Sequence, residues 1–591
     1  MVSFHIPVCA TRVWSRLFEN EYKLFAFLVV FRLVNALIQQ TAFVPDEFWQ
    51  SIEVAHHWVF GYGSFTWEWR PDVALRSPLH PMLIAVVYWL GKLIHMDSAL
   101  FVLLVPRILH AFLSALADLH LYRLSIQLAG PETAKWVLFH QLANWFTAFC
   151  SPRPLANCLE WALTTVALTT YPVWPVVQGQ SGLTVTTRPR QFILCALGCV
   201  VLRPTAAVIW GPLCLGHLWL VYAQSRGAFG SEKEEKVNKD KMRKLGTFQS
   251  VFIEYLIWGI ALLLSSVLAD RWAYGRWTVN QWNFIRFNLL DGGSHTYGIH
   301  PWHWYLSQGL PAMLLTQIPF LFLGIYGDWS AKRRQKQRIP CRLLACLFVW
   351  TTFCYSFLGH KEFRFLFPIL PAAMYFCGRG TTIVLKQRSA REKRTLVSSA
   401  VILGVLVTQV PVLLYTSLVH QRGTLDAIQF VGRLVEEQHP YEQPNRSSIN
   451  MWTPDDWHIL CLMPCHSVPS VGFLHRNITI RQLKCDPDLS RWFGEADPHS
   501  DEADHFYAHP TAWLWSQLYP IEMSPKSPHV ILLFDHLFQT APQVQHLLIT
   551  QWPYRVCGRF FHAHLLTHSR YGHHVLTLCR SDLSAPLVID P

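Results

Sequence analysis

Long apolar blocks alternate with short polar loops along the first 420 residues. The first block runs from about residue 24 to 44, and ten more follow at roughly 81–95, 99–124, 134–150, 155–176, 191–223, 250–269, 310–328, 341–358, 364–385 and 396–419. Each block is compared with the about 20 residues that an α-helix needs to cross a bilayer. The long block 191–223 contains Arg203 and Pro204, so the pattern leaves the number of membrane helices open at about ten to twelve.

The chain changes character after residue 420, where it becomes polar and rich in His, Pro and Asp. Residues 530–535 and 573–578 are short apolar runs of the kind that form buried strands. The pattern therefore predicts a mainly α, polytopic helical bundle over residues 1–420 and an α/β domain over residues 421–591. A hydrophobic fraction of 51%, a charged fraction of 15% and a mean hydropathy of +0.20 agree with a membrane protein.

Basic residues in the loops predict the topology. Residues 332–338 and 386–394 are strongly basic, and the linker 231–244 is highly charged, so the positive-inside rule places all three in the cytosol. An uncleaved N-terminal anchor that starts in the cytosol then places the loop after residue 44 and the tail on the opposite face. The net charge of +12 follows from these loops, and no nucleic-acid-binding pattern accompanies it.

The tail carries signs of an oxidising, glycosylating compartment. Asn445 and Asn477 begin Asn-x-Ser/Thr sequons, which predicts glycosylation in the lumen of the endoplasmic reticulum. Five of the fifteen cysteines lie in the tail, and such a compartment permits one or two disulfides among them. The spacing does not decide which cysteines pair.

Two adjacent carboxylates, Asp46 and Glu47, follow the first apolar block. Ionised carboxylates beside hydrocarbon need a partner or a water-filled cavity, so a pair at this boundary is a candidate functional site. The alternative is that they cap the helix that follows. The stretch by itself leaves both interpretations open.

Residues 270–304 are aromatic-rich and contain His300, Trp302 and His303. The segment is either a plain interfacial aromatic belt or a surface that binds a sugar or a lipid headgroup. A metal site at His300 and His303 is not expected, because no third ligand stands at a suitable spacing.

A short loop between two apolar blocks holds four ionisable residues, His360, Lys361, Glu362 and Arg364. Lysine can neutralise a phosphate as a point charge and arginine as a planar fork. Interfacial snorkelling would explain the lysine and the arginine, but it gives no role to His360 or Glu362.

These loops together resemble the glycosyltransferase family 22 mannosyltransferases. The resemblance is carried by Pro45-Asp46-Glu47-x-x-Gln50, by Gly298-x-His300-Pro301-Trp302-His303-Trp304 and by His360-Lys361-Glu362-Phe363-Arg364-Phe365. It implies a fold of the GT-C class, a location in the endoplasmic reticulum membrane with a lumenal active site, and dolichyl-phosphate mannose as the donor. Pro154 and Pro78 depart from the family pattern, so no role is expected at those two positions.

Four segments resemble the branch of the family that adds the third mannose, in α-1,2 linkage, to the mannosylated glycosylphosphatidylinositol (GPI) precursor: residues 43–51, residues 66–69, Phe363, and residues 463–467. A sibling enzyme of N-glycan assembly is the alternative, and only the resemblance separates the two. A transporter is a further alternative, but it would require inverted repeats that the sequence does not display.

The resemblance also implies roles for individual residues. Transfer from a β-linked donor to an α-linkage inverts the anomeric carbon in one displacement, with one carboxylate as the base. Asp46 is the expected base, and Glu47 supports the loop or orients the acceptor. Substrate contacts are expected at His360, Lys361, Glu362, Arg364, Arg76, Trp67, His300, Trp302 and His303. Neither a metal nor another cofactor is expected, since the leaving group is a monophosphate that basic side chains can neutralise.

Overall fold

Helices occupy every apolar block that the sequence predicts. The computed structural model describes residues 17–174, 190–225, 237–330, 339–387, 391–438, 457–487, 501–518, 527–566 and 568–589. The membrane-region helices in chain order are α1 Glu21–Ile38, α2 Glu53–Phe60, α3 Leu79–Leu93, α4 Ala99–Ala129, α5 Pro131–Ala143, α6 Trp145–Cys150, α7 Ala156–Thr169, α8 Arg190–Leu202, α9 Ala207–Ser225, α10 Val237–Tyr274, α11 Asn280–Ile285, α12 Leu310–Leu314, α13 Ile318–Ser330, α14 Ile339–Ser356, α15 Leu370–Lys386 and α16 Arg391–Leu418.

Several of these helices are long and apolar enough to cross a membrane. Within the described residues there are five such stretches, namely Ala99–Ala129, Pro204–Ala223, Phe248–Tyr274, Tyr305–Ser330 and Lys393–Gln438. Leu79–Leu93 and Arg190–Leu202 are shorter apolar helices. The chain is therefore a multi-pass membrane protein, while the total of about ten to twelve spans stays a prediction.

Two predicted blocks are interrupted for identifiable reasons. Asn144 separates α5 from α6, and its side chain accepts a hydrogen bond of 2.8 Å from the Thr147 backbone N–H. This is the N-cap arrangement that starts a new helix. The block 191–223 divides at Arg203 and Pro204, where Pro204 begins a 3₁₀ turn before α9. A proline lacks the N–H that an uninterrupted helix would need there.

The chain divides into two compact units. The first unit comprises Met1–Ala36, Ala74–His80 and Arg107–Leu413. The second unit comprises Leu37–Val73, Pro81–Pro106 and Leu414–Pro591, so the segment with Asp46 belongs to the same unit as the tail. The sequence-based boundary at residue 420 remains a prediction about domains.

A buried ion pair links helices within the first unit. The Arg32 guanidinium donates to Asp118 at 2.6 and 2.9 Å, and both side chains are fully buried. Gln141 donates to the same carboxylate at 2.9 Å, and Arg32 also donates to Ser151 Oγ at 3.2 Å. These hydrogen bonds offset part of the cost of burying the pair in the interior of the bundle.

Glycines bring α13 and α15 close together in the first unit. A Cβ at Gly324 would overlap the Phe376 carbonyl, and a Cβ at Gly380 would overlap the Phe320 carbonyl. Small residues permit this approach of two backbones, as is common between membrane helices. A side chain at either glycine would separate the pair.

The second unit contains a six-stranded mixed sheet. Its strands are β1 His458–Leu462, β2 Thr479–Gln482, β3 Val530–Phe534, β4 Tyr554–Phe561, β5 His574–Arg580 and β6 Val588–Ile589, in the order β2-β1-β3-β5-β4-β6. Strand β1 pairs in parallel with β2 and β3, β5 pairs antiparallel with β3 and β4, and β6 is parallel to β4. The two strands predicted from the sequence are β3 and β5, and the α/β prediction for the tail is confirmed.

Shorter helices accompany this sheet. They are α17 Gly423–Gln438, α18 Val471–Leu474, α19 Glu502–Ala508, α20 Pro510–Leu518, α21 His536–Thr540 and α22 Pro542–Gln545.

Alternate residues of β1 face two different apolar cores. Ile459 and Cys461 lie in the core that also holds residues of α17, whereas Leu460 and Leu462 lie in the core with Trp513. This alternation follows from the two-residue period of a strand. Phe48, Trp49 and Ile52 are buried in the first of these cores, so the tail positions the turn that carries the carboxylates.

Two disulfides join cysteines of the tail. Cys465 pairs with Cys485, with Cα atoms 6.0 Å apart, and Cys557 pairs with Cys579 at 5.7 Å. Cys461 is buried and free. The expectation of one or two disulfides is confirmed, and the structure supplies the pairing that the spacing left open.

Candidate active site

The carboxylates Asp46 and Glu47 lie in a tight turn of the second unit. The Glu47 N–H donates to Val44 O at 3.1 Å, and the N–H groups of Phe48 and Trp49 both donate to Pro45 O at 3.0 Å. Helical hydrogen bonding therefore begins at Pro45, and a π-helical turn, Phe48–Ile52, leads into α2. Glu47 stands at the N-cap position of that turn, but its side chain makes no capping hydrogen bond.

The two carboxylates differ in exposure. Glu47 is fully buried, whereas Asp46 is half-buried. Only a carboxylate that a substrate can reach is able to remove a proton from it. The geometry thus gives the accessible position to Asp46 and a supporting position to Glu47.

Gln50 links this turn to the segment of Trp67. Its amide nitrogen donates to the Glu68 carboxylate, and its amide oxygen accepts from Trp69 Nε1 at 2.5 Å. Trp67, predicted to contact substrate, is itself buried with Glu68 and Trp69. Neither Gln50 nor Glu68 is among the site residues predicted from the sequence, although Gln50 belongs to the motif that carries the resemblance.

Glu53 is a further buried carboxylate of the second unit that the sequence analysis did not list as a site residue. Its two oxygens accept from the backbone N–H of Ser64 at 2.9 Å and of Gly472 at 2.8 Å. Burial raises the pKa of Glu53 to about 7, against the opposing effect of hydrogen bonds from Ser64, Gly472 and Ser470. The residue holds the start of α2 to the start of α18.

The first unit brings most of the predicted phosphate-binding residues into one network. Arg364 donates to Glu362 through two nitrogens, at 2.7 and 2.8 Å, and His360 Nε2 lies 3.0 Å from Glu362. The other ring nitrogen of His360 lies 3.2 Å from Gly298 O. Both ring nitrogens of His360 therefore lie within hydrogen-bonding distance of an oxygen.

Glu362 serves as the centre of this network. Burial acts to raise the pKa of Glu362, but the charge of Arg364 and the hydrogen bonds from His360 and Arg364 outweigh it and hold that pKa well below its usual range. The carboxylate therefore stays ionised and orients the side chains of Arg364 and His360.

Lys361 points toward backbone carbonyls of the same region. Its ammonium donates to His300 O at 2.8 Å and to Leu358 O, and burial lowers the pKa of Lys361. The His300 ring stacks on Trp304 at 4.9 Å, and Trp304 contacts Phe363 at 5.0 Å. These contacts bring His300 together with the basic loop.

The remaining predicted contacts lie apart from this network or at its edge. Trp302 and His303 are exposed, with ring centroids 5.7 Å apart, and His303 contacts Ser307. Arg76 is half-buried, and its carbonyl accepts from the Tyr274 hydroxyl. Within the first unit, Arg76 therefore lies beside the start of the aromatic segment.

No group of three or more metal-binding side chains occurs in the part of the chain that the structure describes. Among the predicted glycosylation sites, Asn477 is half-buried just before β2, and Asn445 lies outside the described residues. Glycosylation at both positions stays a prediction.

Comparison with known proteins decides the family. The model of the Alg9-like mannosyltransferase family matches residues 23–475 of the chain. The chain belongs to this family. The resemblance stated from the loops is thereby confirmed, and this family member is a membrane mannosyltransferase of the GT-C type.

Two relatives match this mannosyltransferase over nearly its whole length. It is 36% identical to "GPI alpha-1,2-mannosyltransferase 3" of Xenopus laevis, over 94% of this chain and 90% of the relative. It is also 36% identical to the Homo sapiens protein of the same name, over 96% of this chain and 88% of the relative.

A solved structure supports the fold of the mannosyltransferase. ArnT from Cupriavidus metallidurans, bound to undecaprenyl phosphate, has a TM-score of 0.52, covering 95% of this chain and 98% of that chain. The identity is 11%, so this likeness concerns the fold alone.

Proposed function

We propose that this chain transfers mannose from dolichyl-phosphate mannose to the second mannose of a GPI precursor, in α-1,2 linkage, at the lumenal face of the endoplasmic reticulum. The observation that carries the proposal is the 36% identity, over more than nine-tenths of the chain, to relatives named GPI alpha-1,2-mannosyltransferase 3. The motifs at residues 45–50, 298–304 and 360–365 agree with it.

In this proposal Asp46 is the base. It removes the proton from the acceptor 2-hydroxyl as that oxygen attacks the anomeric carbon, and the bond to the donor phosphate breaks in the same displacement. The half-buried position of Asp46 supports this role over the fully buried Glu47. Glu47 then supports the turn from within.

The basic loop neutralises the leaving phosphate. Arg364 and His360 share one carboxylate, Glu362, and Lys361 adds a further positive charge, so the loop keeps an excess of cations. The leaving group is a phosphate monoester, which needs charge neutralisation more than proton donation. The proposal therefore requires no resident cofactor.

The substrate assignment is tested in cells that lack the transfer of the third GPI mannose. We expect the wild-type chain to restore surface GPI-anchored proteins and to remove the accumulated two-mannose GPI lipid. Asp46→Asn should restore neither, because loss of a general base costs about 10²- to 10⁴-fold in rate.

Glu47→Gln is the matched control for Asp46→Asn. It changes a neighbouring carboxylate in the same way, and we expect it to retain more activity at equal protein level. Failure of a well-expressed, correctly located wild-type chain to rescue would contradict the proposed acceptor. Rescue by Asp46→Asn would contradict only the assignment of Asp46 as the base and would leave the proposed acceptor unaffected.

A further inference from the structure

His466 belongs to a tight turn of the tail to which the proposed mechanism gives no role. The Ser467 N–H donates to Pro464 O at 3.2 Å, and the Ser467 hydroxyl donates to the same oxygen at 2.5 Å. The neighbouring Cys465 is fixed by its disulfide to Cys485. The turn is thus closed by hydrogen bonds and anchored covalently on one side.

The backbone of His466 is in the left-handed region, with φ of 59°. Non-glycine residues rarely adopt this conformation, and it persists where the surrounding structure holds it. The surroundings here are specific, because the imidazole meets the indole of Trp49 edge to face, at 4.8 Å between centroids and 69° between planes.

Trp49 connects this contact to the carboxylate turn. Its indole N–H donates to Val468 O at 3.1 Å, and its backbone N–H donates to Pro45 O at 3.0 Å. Trp49 is therefore held from the tail at its ring and hydrogen-bonded to the residue before Asp46 at its backbone. A movement of the ring would be transmitted to the turn.

The charges that act on His466 are carboxylates. Burial lowers the pKa of His466, and the negative charges of Glu68, Asp46 and Asp486 act in the opposite direction. The His466 and Ser467 side chains also line a small cavity of about 50 Å³ together with Val44 and Pro45. A space of this size has room for about one to three water molecules beside Val44 and Pro45, the residues that precede Asp46.

We propose that His466 is a positioning residue for Asp46: its ring fixes Trp49, and its polar edge favours the ionised, correctly oriented carboxylate of the adjacent turn. The inference rests on the proposed function, since it assigns a partner to the base. It also gives the tail a part in the proton-transfer step.

A second histidine of the tail provides a matched control. His475 also has a left-handed backbone, with φ of 52°, and its ring meets His56 of α2 edge to face at 5.1 Å. Its Nδ1 lies 2.9 Å from His56 Nε2. The two histidines share their conformation and their contact type, but His475 packs on α2 and not on Trp49.

The experiment compares His466→Phe, His466→Asn and His475→Asn in the full-length enzyme, in microsomes with dolichyl-phosphate mannose and a two-mannose GPI acceptor. His466→Phe keeps a ring on Trp49 and removes the polar edge. We expect kcat to fall by about tenfold with both KM values within about twofold, and the acid limb of the kcat profile to move to higher pH.

The other two variants separate positioning from folding. His466→Asn suits the left-handed backbone and restores a polar side chain, so we expect it to recover the acid limb toward wild type while kcat remains below it. His475→Asn should leave kcat per folded enzyme and the acid limb unchanged.

Two results would overturn the inference. The first is a His466→Phe enzyme with wild-type kcat and an unmoved acid limb. The second is an equal loss of kcat in His466→Phe and His475→Asn, which would indicate a structural role only. An inactive wild-type chain would instead contradict the proposed function, and an active Asp46→Asn would contradict the base.

Discussion

Glu53 in the second unit and Glu362 in the first are both poorly exposed carboxylates, yet they are stabilised in opposite ways. Glu362 is held between Arg364 and His360, and its pKa is lowered. Glu53 accepts from two backbone N–H groups, and burial raises its pKa to about 7. The basic loop, residues 360–365, therefore keeps a fixed ion network, whereas burial at Glu53 makes the charged form of that side chain costly.

Removing the cation from Glu362 should have the largest effect. Arg364→Ala leaves a poorly exposed carboxylate without its bidentate partner, for which we expect about 3–5 kcal/mol of destabilisation and loss of turnover. Thermal unfolding of the enzyme in detergent measures the first, and mannose transfer measures the second.

The double variant Arg364→Ala with Glu362→Gln sharpens that result. It removes the charge as well as its partner, so we expect at least half of the stability to return while activity stays low. No return of stability would contradict the role of Glu362 as the centre of the network.

Truncation of Glu53 should have the next largest effect. Glu53→Ala leaves the buried N–H of Gly472 without its acceptor and frees the N–H of the exposed Ser64 to bond water, which costs about 1–3 kcal/mol. The exposed Glu436, paired with Arg476, is the control, and Glu436→Ala should change stability by less than about 1 kcal/mol. Equal effects of the two substitutions would refute the bridging role of Glu53.

The two glutamates should also impose opposite pH dependences. Glu53 binds its proton more tightly in the folded state, so its contribution is fully present below about pH 4.5 and is lost as pH rises toward about 7. Glu362 binds its proton less tightly when folded, so its contribution is present above about pH 4.5 and is lost as pH falls below that.

Unfolding curves across pH for wild type, Glu53→Gln and Glu362→Gln measure these slopes, each at most about 1.4 kcal/mol per pH unit. Glu53→Gln should remove the decline between about pH 4.5 and 7, and Glu362→Gln should remove part of the loss in acid. The same slope in both variants would contradict the comparison.

Trp302 should give the smallest effect on stability. Its side chain is 62% exposed, so Trp302→Ala should change unfolding by less than about 0.5 kcal/mol, whereas a role in substrate binding would raise a KM several-fold. Trp304, which is 6% exposed and packs on His300 and Phe363, is the control for stability. An unchanged KM in Trp302→Ala would indicate that Trp302 belongs to a plain interfacial aromatic belt and does not bind substrate.

Much of the fold follows from local signals in the sequence. Each apolar block is a long stretch of mostly hydrophobic residues, and each of them contains a helix. Strands β3 and β5 are short apolar runs of the kind that is typical of buried strands. Strand β1 is a run of only five residues that begins at His458, and its position depends on pairing with β2 and β3. The local amino-acid composition does not predict such strand pairing.

The candidate site was only partly accessible from the sequence. The cluster of His360, Lys361, Glu362 and Arg364 is contiguous, so its chemistry could be predicted, but the central place of Glu362 required geometry. The contact of Trp49 with His466 joins residues that are 417 positions apart in the chain, and no hydrophobic periodicity of the sequence predicts it. The disulfide partners were undetermined for the same reason.

The most direct test of the account is the rate of mannose transfer by purified wild type, Asp46→Asn and Glu47→Gln at equal folded protein and saturating substrates. We expect a fall of about 10²- to 10⁴-fold for Asp46→Asn and a clearly smaller fall for Glu47→Gln. A near-normal rate for Asp46→Asn, with Glu47→Gln inactive, would contradict it and move the base to Glu47.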